Sequence, residues 1–362
     1  MTQIPKKSLR ILLKAVLLFV VFNYAFAFVP DSALWKISLY NTILPGLTRF
    51  PLEKNLDLMF DAHEIAKSPS RGNEYKVIVL GDSSTWGYKL NPDETFSSII
   101  NASRLLTCKE QTIHVYNLGY PSLSVFKDFI FLRQAMFYKP NLILWNVTLN
   151  SLLETKEEIE ENVIIKNNID LAQSLNNEYK LTQGDDLAKK SSFRNQSFLD
   201  RREEIARFIK AQLEEIRWQA IGGELVDKSY SPLGMDVKAS DSFDRYNLLP
   251  PRLEPNLLRF NILNAGNLIA GDIPIIIINE PIQVVNGANS DIRYNKMYPR
   301  WVYDQYREIM TMKSKQYGWN YIDLWNMIPP TQFSDTAFHR TTKGEQIFSR
   351  KIKEVILKSA CP

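Results

Sequence analysis

The sequence predicts an α/β protein built on a three-layer, flavodoxin-like parallel sheet of about five strands. It further predicts a helical insertion after the third strand and an N-terminal transmembrane helix. Three observations carry this prediction. From residue 75 onward, short apolar runs alternate with helical stretches, the pattern of a parallel sheet covered by helices. Residues 151–255 break that alternation with a composition rich in Glu, Lys, Asn and Gln. The first thirty residues place basic side chains ahead of one long apolar run.

In order along the chain, Lys76–Leu80 is the first buried strand, and Asp93 caps a helix from Glu94 to about Leu106. Ile113–Asn117 is the second strand, followed by a helix over Ser124–Tyr138, and Asn141–Val147 is the third. Ile273–Asn279 and Tyr321–Leu324 are the fourth and fifth, and the last helix runs over Thr342–Lys358. Runs that are apolar at every position suit strands covered on both faces. Within the insertion, Leu199–Ile221 has helical spacing at Ile205, Phe208, Ile209, Leu213 and Ile216. An insertion after the third strand leaves the sheet at its carboxyl edge, where open α/β sheets bind ligands, so residues 151–255 are expected to form a helical cap.

At the N-terminus, Lys6, Lys7, Arg10 and Lys14 precede or begin the run Ile11–Val29. As a helix this run is roughly 28 Å long, close to the hydrocarbon thickness of a bilayer. The positive-inside rule then places residues 30–362 outside the cytoplasm, as a single-pass membrane protein with an extracytoplasmic domain. A cleaved signal peptide competes with the retained anchor, because Ala25-Phe26-Ala27 has the form of a cleavage site. The expected division is a cytoplasmic tail over 1–10, an anchor over 11–29 and a juxtamembrane stalk over 30–72. The main domain spans 73–150 and 256–362, with the cap over 151–255. Turn signals at Pro30-Asp31, Pro45-Gly46 and Phe50-Pro51 mark this stretch as a stalk or packing arm, and its aromatics Trp35, Tyr40, Phe50 and Phe60 leave open whether it lies against the membrane surface or the domain.

The 362 residues are 45% hydrophobic and 23% charged, ordinary globular values, and the net charge of +4 is spread over 44 basic and 40 acidic side chains. No basic stripe argues for nucleic acid. No paired-cysteine or His-Glu-x-x-His spacing and no glycine-rich phosphate loop is visible, so neither metal nor cofactor is expected.

The chemistry centres on Gly81-Asp82-Ser83-Ser84, which directly follows the first strand. A serine on a tight strand-to-helix turn presents its hydroxyl at the carboxyl edge of the sheet. Alone, Gly-Asp-Ser is more often a plain turn with a capping serine. A nucleophilic serine needs a base, and the chain has 3 histidines. His63 lies in the predicted stalk and His114 inside the second strand. His339 lies in a loop just before the final helix, on the carboxyl side of the sheet. Asp335 precedes His339 by four positions and is the candidate to orient its ring, with Asp323 as rival.

Together these blocks resemble the SGNH or GDSL serine hydrolases over residues 75–362 with the insertion excluded. The first block is Val77–Tyr88 with Pro92–Phe96, the second Tyr116–Pro121, the third Pro140–Asn150 and the last Phe333–Gly344. The resemblance implies catalytic residues Ser83, His339 and Asp335, and an oxyanion hole of the Ser83 and Gly119 amides with the Asn150 side chain. Close backbone approach or positive φ gives Gly119 a reason to be glycine. The third block departs from the family at Thr148 and Ser151, which leaves Asn146 as an alternative to Asn150. The spacing from Asp335 to His339 is four where the family has three.

The resemblance implies serine-dependent acyl-ester hydrolysis of an acylated glycan or lipid outside the cytoplasm. The alternatives are an O-acyltransferase for envelope polysaccharide, working with a multi-span membrane acyltransferase, and a non-catalytic carbohydrate-binding module. In flavodoxin-like order the first and last helices lie side by side, so Cys108 and Cys361, which follow them, are expected to form a disulfide in an oxidising compartment.

Overall fold

The computed structural model describes residues 6–28, 46–52, 55–70, 73–182, 197–202, 205–206, 209–210, 213, 216, 240–243 and 252–361. Trp35, Tyr40 and Phe208 lie outside the described residues.

Five parallel strands form one sheet in the order β2-β1-β3-β4-β5. They are β1 (Glu74–Leu80), β2 (Thr112–Asn117), β3 (Leu142–Val147), β4 (Ile275–Asn279) and β5 (Asn320–Asp323). The chain reverses its direction across the sheet between β1 and β3, which are hydrogen-bonded neighbours in register Val79↔Leu144. That reversal opens a crevice at the strands' carboxyl ends, the usual place for a ligand in a sheet of this kind.

Because successive side chains of a strand point to opposite faces, each apolar run feeds two cores. Val77, Val79, Val115, Leu144 and Ile278 face one side, where Phe96 and Ile100 of helix α4 (Phe96–Ala102) meet Phe348 and Ile352 of helix α12 (Thr342–Ala360). Ile78, Leu80, Tyr116, Trp145 and Ile277 face the other. There they pack on α5 (Val125–Ala135), α10 (Phe260–Ala270) and α11 (Arg300–Tyr317). The remaining described helices are α1 (Lys6–Ala25), α2 (Leu56–Ala62), α3 (Ser83–Trp86), α6 (Leu149–Leu152), α7 (Lys156–Glu161), α8 (Val163–Asn167) and α9 (Ile169–Tyr179).

Of the stalk and packing-arm readings, residues 46–70 fit the second: Phe50, Leu56, Met59, Phe60 and Ile65 are core residues. Arg49 bridges to Asn117 at the end of the edge strand β2, so this segment covers an edge that is otherwise open. The helix after the nucleophile begins later than predicted, because the Thr95 side chain rather than Asp93 caps it by accepting from the Ser98 amide. Residues 92–94 instead form a short 3₁₀ turn. The insertion is not only a cover, since Ile159, Ile164, Ile165, Ala172 and Leu175 of α7–α9 are buried in the same core as β3.

The N-terminal helix is apolar and long enough to cross a membrane over Lys7–Phe28. Its end meets the insertion: Phe198 lies 5.4 Å from Phe22 and 5.3 Å from Phe26, ring to ring. The Leu199 amide donates to Asn23 Oδ1 at 2.9 Å.

Candidate active site

Strand β1 ends at Leu80, and the chain turns at once into the single-turn helix α3. Asp82 caps this helix by accepting from the Ser84 amide at 2.8 Å. Gly87 closes it in the left-handed region at φ 85°, which suits glycine. The turn is held from behind. The fully buried Lys127 donates to the Gly81 carbonyl at 2.8 Å and the Tyr120 carbonyl at 3.3 Å, with Asp128 as its counter-ion at 2.6 Å. Asn146 donates to Thr85 Oγ1 at 2.8 Å.

The structure brings Ser83 together with His339 and Asp335, which lie more than 250 positions further along the chain. Ser83 Oγ is 2.8 Å from His339 Nε2, and His339 Nδ1 is 2.9 Å from Asp335 Oδ1. A carboxylate only accepts, so Nδ1 carries the proton and Nε2 keeps its lone pair toward the serine hydroxyl. Burial pushes the Asp335 carboxyl up, but the hydrogen bond and charge of His339 and the Ser334 hydroxyl outweigh it and hold the group down at about 2. Lys89 adds a cation 3.7 Å from the other carboxylate oxygen. The four-residue spacing is accommodated by a turn in which Thr336 Oγ1 accepts from the His339 amide at 3.0 Å. Tyr88 and Phe338 flank the imidazole at ring distances of 4.9 and 4.8 Å.

The rivals are occupied elsewhere. Asp323 accepts from Asn279 Nδ2 and Arg307 Nε, each at 2.8 Å. His114 faces Glu64 at 2.9 Å. His63 is buried in the core, where Nδ1 accepts from the Ile65 amide and Nε2 donates to the Asn117 carbonyl. Burial pushes that imidazole down to about 4.

The three expected oxyanion donors differ in state. Among the described residues, the Ser83 amide donates to no acceptor, as befits the first position of a helix. Asn150 is buried on α6, directly beyond β3, with its Oδ1 unpartnered. The rival Asn146 spends its amide nitrogen on Thr85, which leaves Asn150 as the candidate. The Gly119 amide differs from the other two in that it already donates, to Asn117 Oδ1 at 3.0 Å. Glycine is required here by packing, since a Cβ would lie 2.6 Å from the Trp86 nitrogen and 2.8 Å from Thr85 Cγ2.

Sequence reasoning missed a buried charge cluster behind the nucleophile. Glu280, the first residue beyond β4, accepts from Ser84 Oγ and from Thr85 Oγ1, the latter at 2.9 Å. Arg340 lies 3.8 Å from Glu280 Oε1, binds Glu345 through Nε, and donates to the Ser84 carbonyl at 3.1 Å. Glu345 accepts from the Phe96 amide at 2.6 Å. The available signal was a glutamate directly after four isoleucines and an asparagine, at the carboxyl end of a buried strand. A surface hollow of about 870 Å³ around Arg307 and Asp323 contains none of the triad.

No family model and no curated protein matches the chain. Among solved structures, an acetylxylan esterase from Geobacillus stearothermophilus is similar at 12% identity, with 80% of this chain and 95% of that chain covered and a TM-score of 0.38. The native aryl esterase of M. smegmatis shares 9% identity over 78% of this chain and 98% of its own, with a TM-score of 0.38. A member of the lipolytic G-D-S-L family from Veillonella parvula shares 12% identity over 77% of this chain and 97% of its own, at 0.33.

Proposed function

We propose that the chain is a membrane-anchored, extracytoplasmic serine hydrolase that cleaves acyl esters of a glycan or lipid. The observation that carries this reading is the continuous relay from Ser83 Oγ to His339 Nε2 at 2.8 Å and from Nδ1 to Asp335 at 2.9 Å. In the reaction His339 takes the hydroxyl proton as Ser83 Oγ bonds to the ester carbonyl carbon. The tetrahedral oxyanion is met by the Ser83 amide and the Asn150 side chain. His339 then returns the proton to the departing alkoxide, leaving acyl-Ser83. Water, deprotonated by the same imidazole, releases the acid. Asp335 stays ionised throughout and stabilises the imidazolium.

Two features support the placement outside the cytoplasm. The apolar helix Lys7–Phe28 follows basic residues, and Cys108 and Cys361 are joined in a disulfide, a bond of oxidising compartments. A second reading, O-acyl transfer with a sugar hydroxyl in place of water, is supported by the contact of Phe198 in the insertion with Phe22 and Phe26 of the apolar N-terminal segment. A multi-span acyl donor protein would then be its partner.

The test uses full-length protein in detergent, a fluorophosphonate probe and p-nitrophenyl acetate. Wild type is expected to label and turn over, and Ser83→Ala to lose labelling together with at least about 10⁴-fold in kcat. An active Ser83→Ala enzyme discards the mechanism. A wild type that stays unlabelled points to a binding module instead.

A further inference from the structure

Arg340 and Glu345 have side chains 0% and 1% exposed, and Glu280 is 1% exposed. With Asp82, also buried, the cluster sets three carboxyl groups against one guanidinium directly behind α3. Burial pushes the Glu280 carboxyl up and the Asp82 charge adds to this, against the opposing pull of Arg340 and the Ser84 and Thr85 hydroxyls. Such a cluster is a poor device for stability, because buried ion pairs are often replaced by apolar residues at no loss. Its connections suggest another use.

The bonds of Arg340 and Glu280 end one or two residues from a reacting group. Arg340 follows the base His339 in the chain, and its guanidinium holds the carbonyl of Ser84, which follows the nucleophile. Glu280 accepts from the hydroxyls of Ser84 and Thr85 on the same helical turn. Glu345, at the start of α12, anchors the guanidinium and also takes the Phe96 amide at the start of α4. The guanidinium therefore joins the Ser83 turn and the His339 loop to the start of α12, and Glu280 at the end of β4 faces it as an ion pair at 3.8 Å.

We propose that the buried Glu280–Arg340 pair is a positioning clamp that fixes the nucleophile turn against the His339 loop, and so sets the distance from Ser83 Oγ to His339 Nε2. The inference rests on the reading of Ser83 and His339 as the reacting groups. Neither Glu280 nor Arg340 touches substrate. Their effect passes through the geometry of attack, where small displacements are costly in rate. Arginine suits the role because its rigid fork serves several acceptors at fixed angles, which a lysine ammonium does not reproduce.

The test compares full-length wild type with Glu280→Gln, Arg340→Lys and Ser84→Ala in detergent. Glu280→Gln keeps shape and one acceptor, Arg340→Lys keeps the charge, and Ser84→Ala removes one donor without disturbing the guanidinium. Thermal melts establish folding, and the fluorophosphonate labelling rate is read beside kcat and KM on p-nitrophenyl acetate. In folded variants, kcat and the labelling rate are expected to fall together by at least about tenfold for Glu280→Gln and Arg340→Lys, and less for Ser84→Ala, with KM within about twofold. Should Arg340→Lys fail to fold, the other two decide the matter. Folded Glu280→Gln and Ser84→Ala that label as fast as wild type overturn the clamp while leaving Ser83 as nucleophile. Losses confined to KM, or no greater than the lost folded fraction, also overturn it. A wild type that never labels overturns clamp and hydrolase reading together.

Discussion

Asn150 shows how much one side chain is asked to do. In the proposed mechanism the Ser83 amide and the Asn150 side chain meet the oxyanion, while the Gly119 amide is bonded to Asn117. Asn150→Ala is therefore expected to lower kcat by about 10²- to 10³-fold with little change in melting temperature. Steady-state kinetics beside a thermal melt checks this, and wild-type turnover removes Asn150 from the site. At this scale Ser83 and His339 were legible because 3 histidines leave few bases for a serine. Asp335 was legible by proximity in sequence. Glu280, Arg340 and Lys127 were not, because charged residues in a sequence read as solvated, and only the packing around them shows that they are buried.

At the scale of elements, the strands were legible to within two residues because β3 and β4 are short runs buried on both faces, and the half-buried edge strands β2 and β5 still stand out as apolar-rich between turns. Residues 46–70 were not: their prolines and polar breaks describe a chain that turns often, and say nothing of what it turns against. The junction between α6 and α7 carries a pH-sensitive consequence. Glu154 is buried there with Oε1 unpartnered, and burial pushes its carboxyl up to about 8, against the Ser124 hydroxyl, the Phe126 amide and Arg259. Its folded pKa exceeds its unfolded one, so the stability it contributes is present below about 4.5 and is lost as pH rises through about 8. Glu154→Gln cannot ionise. Its melting temperature is expected to match wild type at pH 5 and to exceed it at pH 9, by an amount on the order of a few kcal/mol in stability. Parallel melts at the two pH values decide, and curves that stay parallel remove Glu154 as the cause.

At the scale of the whole molecule, Cys108 follows α4 and Cys361 ends α12, two helices packed side by side on one face of the sheet. Their disulfide joins residues 253 positions apart. Reduction is expected to lower stability by about 2–5 kcal/mol. Alkylation before reduction should add no mass, and alkylation after reduction should add two labels. Alkylation of both cysteines before reduction rules the bond out. The sequence by itself determined the alternation of buried strands with helices, the apolar N-terminal helix, and the pairing of a scarce histidine with a serine on a strand-to-helix turn. These are local patterns, written in the spacing of neighbours along the chain. Only the tertiary structure decided that Gly119 packs against Thr85 and Trp86, that residues 46–70 belong to the core, and that a guanidinium sits between the Ser83 turn and the His339 loop. Each of those depends on groups distant in sequence meeting in space, where burial and hydrogen-bond partners first acquire a value.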